Sequence, residues 1–62
     1  SRVTAPVFDA SGKQAGILHI LGSARGEIRM TLALDDNLVE EQAATSLRED
    51  IDFILGSYEL KW

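Results

Sequence analysis

The sequence predicts a small α+β module, a three-stranded antiparallel meander followed by one long amphipathic helix. Three observations lead there. Residues 2–8 are rich in β-branched and aromatic side chains, 15–22 are apolar on both faces and 27–34 alternate at period two; glycine-bearing turns separate these segments, and from Asn37 the apolar spacing becomes helical. Residues 1–62 read as a single unit without repeat, linker or low-complexity stretch.

Residues 2–8, RVTAPVF, are β-branched and aromatic enough for a first strand. Pro6 has no N–H to offer a neighbour, so this strand belongs at an edge or turns that position outward. Asp9-Ala10-Ser11-Gly12-Lys13 carries a turn signal: Asp9 can close an Asx-turn, and Gly12 takes positive φ without a Cβ clash. Residues 15–22, AGILHILG, form the most apolar segment, with Ile17, His19 and Leu21 on one face and Leu18 and Ile20 on the other. Apolar side chains on both faces mark a strand covered on both sides. A second turn follows over Gly22–Gly26. In residues 27–34, Glu27, Arg29 and Thr31 face water while Ile28, Met30, Leu32 and Leu34 face a core.

Asp35-Asp36-Asn37 marks the change of period, and Asn37 with Glu40 has the spacing of a capping box. Val39, Ala43, Leu47, Ile51, Ile54 and Tyr58 then recur at helical spacing, and Gly56 supplies a stop. The tail from Ser57 to Trp62 alternates Tyr58, Leu60 and Trp62 with polar residues. It reads either as a short further strand or as an end whose Trp62 finds a hydrophobic seat.

Composition narrows the class. A chain of 62 residues without cysteine has neither a disulfide nor a thiolate metal site to support a thin core. An efficient core, self-association or excision from a larger domain is then required, and a start at Ser1 without methionine suggests an excised piece. The net charge of −4 argues against a phosphate-reading nucleic-acid surface. Charge is unevenly placed: four cations against two anions in residues 1–34, and eight anions against two cations beyond. No apolar run approaches the roughly 18 residues of a membrane span, and a cytoplasmic location fits.

One helix covers one face of a three-stranded sheet, which leaves apolar side chains of the second strand without a cover. Leu18, Ile20, Phe53 and Trp62 are therefore candidate interface residues, and contiguous exposed apolar area of this kind marks an interface or a groove. His19 is the only histidine. No base, acid or nucleophile can be paired with it from spacing, and a lone histidine among leucines is more often a core, interface or ligand-contact residue than a catalyst. Asp35, Asp36, Glu40 and Glu41 are better explained by helix capping than by a cation site, and Glu49, Asp50 and Asp52, expected near the helix C-terminus, are candidates for pairing with Arg2, Arg25 or Arg29. The Gly22–Gly26 loop lacks the Gly-Lys-Ser/Thr ending of a phosphate loop. No catalytic residue, metal ligand or cofactor site is expected.

The run Ala5-Pro6-Val7-Phe8-Asp9-Ala10-Ser11-Gly12-Lys13, with the apolar strand ending at Gly22, resembles the last hairpin of the effector-binding domain of IclR-type transcriptional regulators. The stretch from Leu47 to Tyr58, with its Leu55-Gly56 pair, is similar to that family's closing helix. Together these cover about half the chain. The resemblance implies a GAF-like sensing sheet in which alternate residues of the second strand, Ile17, His19 and Leu21, face a small-molecule effector. Histidine at 19 and leucine at 21 depart from the small polar residues common there. The strand at 27–34 is a further departure, because the family joins hairpin to helix by a short connection. The expected function is a non-enzymatic sensing module acting as a homodimer or higher homo-oligomer. The alternative is a purely structural homo-oligomerisation module without a ligand.

Overall fold

The computed structural model describes all 62 residues. Four strands, not three, form an antiparallel meander in the order β1-β2-β3-β4: β1 Arg2–Phe8, β2 Gln14–Gly22, β3 Ile28–Leu34 and β4 Asn37–Ala44. One helix follows, α1, over Leu47–Ser57. The first three strands lie where the residue pattern puts them. The long helix from Asn37 is corrected: its first part is β4, and only 11 residues are helical.

The reason is a turn. Asp35 and Asp36 both adopt left-handed backbone, φ 50° and 62°, and form the loop of a hairpin in which Leu34 pairs with Asn37. Two successive positive φ values define the I′ turn, whose twist matches that of the flanking strands. Asn37 is thus the first residue of a strand and not a helix cap. Glu40, Gln42 and Ala44 pair with Leu32, Met30 and Ile28, and the register shifts between Leu32 and Ala33. Because β4 is polar on both faces and bulged, its period-two signal is faint. The spacing of Val39, Ala43 and Leu47 imitates a helical stripe.

The other two hairpins are built alike. Each loop ends in a left-handed glycine, Gly12 at φ 88° and Gly26 at φ 81°, and the residue ahead of the loop caps it. Asp9 Oδ1 accepts from the N–H of Ser11 (2.9 Å), the Ser11 hydroxyl (2.6 Å) and the N–H of Lys13 (3.0 Å). Ser23 Oγ accepts from the N–H groups of Arg25 and Glu27, both at 3.2 Å.

The helix start is set by Asp50, whose Oδ2 accepts from the N–H of Thr45 (2.8 Å) and of Ser46 (3.0 Å). Glu49 and Asp50 therefore lie in the first turn, where the dipole favours them, not near the C-terminus as the longer helix requires. Asp50 is spent on its own backbone and not on an arginine. The helix end is a Schellman motif. Leu60 N–H reaches Leu55 O (2.8 Å), Glu59 N–H reaches Gly56 O (3.1 Å), and Glu59 takes φ 58°. Gly56 sits inside the helix, so the stop lies three residues later than the glycine suggests.

Ile51, Ile54 and Leu55 pack on Val7, Leu18, Met30 and Leu32, and these seven are the buried core, each about 1.5–3 kcal/mol of burial. Leu47, Ile20, Leu34, Ala44 and Leu60 surround them. The tail then crosses the sheet end. The Tyr58 hydroxyl donates to Glu40 (3.0 Å) and to the Val39 carbonyl (3.3 Å), and Lys61 exchanges both backbone hydrogen bonds with Phe8. That single bridge is all the strand the tail forms. It also shows that Phe8 directs its backbone groups outward. Pro6, two residues earlier, then loses no ladder hydrogen bond at this edge.

Two predictions follow from the helix ends. Glu59→Gly removes the left-handed strain and raises stability by about 1 kcal/mol, measured by urea unfolding. The Asp50 carboxyl is held below the ordinary aspartate range, chiefly by the Thr45 N–H and then that of Ser46; Asp9 is held low mainly by the Ser11 hydroxyl and the Lys13 N–H. A depressed folded pKa gives stability that is present above the unfolded value and lost as pH falls through the folded one. Thermal melts should therefore show Tm falling below about pH 4, and Asp50→Asn should lower the neutral Tm and flatten that acid slope.

Candidate functional site

The side of the sheet away from α1 is uncovered, and the strand register arranges it in three rows. Pro6, Ile17, Ala33 and Leu38 form an apolar row; Thr4, His19, Thr31 and Glu41 a polar one; Arg2, Leu21, Arg29 and Ala43 the third. Leu38 on β4 is 62% exposed, and on β2 Ile17 is 39% and Leu21 37%, large values for aliphatic side chains on one sheet face. The face therefore has an apolar row beside a polar one at its middle and is charged toward both ends.

His19 stands at its centre, half-buried between Thr4 and Thr31 on the adjacent strands. It lies at the junction of two open depressions. One, of about 500 Å³, is lined by Gln14, Ile17, His19, Ala33, Asp35 and Asp36. The other, of about 280 Å³, runs past Arg2, Leu21, Thr31 and Leu38. A third, of about 360 Å³, opens at the end of the sheet between Leu21, Glu27, Arg29 and Ala43. Glu41, the carboxylate in the same row as His19, is two strands away with Thr31 between, a backbone separation of roughly 10 Å. No group of three or more acidic or histidine side chains is gathered as a metal site.

The structure brings Ile17, His19 and Leu21 together on this face. It separates the four residues expected at an interface. Leu18 is 1% exposed beneath α1, and the half-buried Ile20 packs against the same core, so both face α1 and not the open side of the sheet. The β4 strand supplies the reason: with a helix on one side of the sheet only, the Leu18 face is taken. Phe53 is 76% exposed on the outer side of α1. Trp62 is held against its own helix, its Nε1–H donating to Asp52 Oδ1 (2.9 Å) and the Arg48 guanidinium 5.9 Å from the ring centre. Leu38, the most exposed aliphatic residue of the face, goes unnoticed when residues 37–44 are read as helix; the Asp35-Asp36 turn is the signal that places it.

Comparison with protein-family models, with curated proteins and with solved structures finds no match to this chain. No helix is long and apolar enough to cross a membrane.

Since Trp62 is the only tryptophan, its seat can be read by fluorescence. Asp52→Ala should shift its emission to the red and raise its quenching by acrylamide, with the far-ultraviolet circular dichroism unchanged.

Proposed function

We propose that this chain is a non-enzymatic regulatory module that works by self-association through the open face of its sheet. The observation that supports this is the apolar row Pro6, Ile17, Ala33 and Leu38, with Leu21 beside it, on a face that no element of the chain covers. A chain this small buries only part of its apolar surface alone, and a second layer on the sheet is the direct way to bury more.

A ligand-responsive form of this reading draws on the depression beside His19. Asp35 and Asp36 give it an acidic rim, so an effector taken there would be neutral or cationic, with the imidazole and the Gln14 amide as polar contacts. The likeness of the Ala5–Lys13 hairpin to that of IclR-type regulators supports the same direction. Such a molecule would act by favouring one packing of chains over another.

Sedimentation equilibrium over a micromolar-to-millimolar range tests the self-association. A dimer is expected, with a melting temperature that rises with concentration. Ile17→Glu should abolish the dimer and leave the monomer's circular dichroism intact. A folded monomer at every concentration overturns the reading.

A further inference from the structure

The ends of the open face carry opposite charge. At the end where β2 turns into β3 stand the N-terminal amine, Arg2, Arg25 and Arg29 with Glu27; at the other end stand Asp9, Asp35 and Asp36 with Lys13 and, on the outer edge of β1 beside Phe8, Lys61. Between them the face carries the apolar row Pro6, Ile17, Ala33 and Leu38 and the polar row Thr4, His19 and Thr31, with Glu41 at the β4 margin. Asp36 lines the same depression as His19 and Leu38, and Asp35 lines the one beside Ile17, so these carboxylates border the face. Arg29 borders it at the opposite end, with Leu21 and Ala43.

We infer that the occupant of this face is a second copy of the chain, packed face to face with its strands running in the opposite direction. The inference rests on the self-association proposed above and assigns its geometry. A closed symmetric pair of facing sheets has its two-fold axis in the plane between them. An axis along the strands sets like ends over each other, arginine on arginine and aspartate on aspartate. An axis across the strands sets each basic end over an acidic end, twice. Only the second arrangement is complementary.

Counting along the register fixes the contacts. An axis crossing between the His19 row and the Ile17 row lays Arg29 of one copy over Asp35 of the other. The same operation puts His19 over Ile17 and Thr31 over Ala33, so the apolar row meets the polar row of its mate, with Glu41 over Leu38 at the margin. The footprint of four strands about seven residues long is roughly 400 Å² per copy, which places the pair at the weak, concentration-dependent end of specific interfaces. At such an interface rim charges decide orientation more than affinity does.

The test is the double substitution Asp35→Asn with Asp36→Asn, followed by sedimentation equilibrium against the wild-type chain at low and high salt. Asparagine keeps the left-handed turn, so β4 is retained. With crossed ends the variant dimer is expected to dissociate roughly tenfold more readily, and the wild-type dimer to weaken as salt rises. Arg29→Gln should reproduce the loss from the other end. A variant that dimerises more tightly, or a wild-type dimer strengthened by salt, means like ends face each other and overturns the assignment. A dimer indifferent to both substitutions and to salt overturns it too, while leaving self-association standing. A wild-type chain that stays monomeric removes both.

Discussion

Two adjacent left-handed residues, Asp35 and Asp36, govern how the rest of the chain is laid out. Holding two non-glycine residues there costs on the order of 1 kcal/mol each, since the side chain crowds the backbone. Aspartate is among the residues that tolerate it. In return the chain gains a fourth strand, and with it the full β3–β4 ladder. A helix running from Asn37 through Ser57 would be roughly 30 Å long, against about 23 Å for a seven-residue strand. It would overhang its own sheet. Ending β4 at Ala44 places Leu47 over the sheet end, so the short helix returns along the sheet with Ile51, Ile54 and Leu55 facing inward.

The parts of this fold that are legible in the residues are those with a strong local cause. β1 follows from β-branched and aromatic content, β2 from a short apolar run and β3 from alternation, with glycine turns between them. The Asp9 loop follows from an aspartate that can reach its own backbone, and the outward position of Pro6 from its missing donor. β4 is hidden because Glu40, Glu41 and Gln42 blur its alternation and because its turn uses two aspartates where glycine or asparagine is usual. The helix end is hidden for the same reason: Glu59, not Gly56, holds the left-handed position. In both places tertiary structure carries a backbone strain that composition does not announce.

The candidate site was half legible. His19, Ile17 and Leu21 fall on one face by simple alternation, and the structure keeps them there. Leu18 and Ile20 cannot be told from them by pattern, because both sides of β2 are apolar. Only the position of α1 decides which side is interior. Gly16 shows how closely that side is packed. A Cβ there would run into the carbonyl oxygen of Ala33, so β2 and β3 approach at a point where only glycine fits.

What remains is a matter of areas. A helix is about 10 Å across and four strands span roughly 19 Å, so α1 alone cannot roof even the side it occupies. The tail makes up part of the difference: Leu60 joins the core, Tyr58 ties the helix end to β4, and Lys61 ties the tail to β1. At the far corner Val3 is still 59% exposed. The chain thus uses every element it has to close one side of the sheet. None of these elements covers the other side, where the apolar row lies between a basic end and an acidic one. Under the proposed self-association, a copy turned end for end would set each charged end against its opposite.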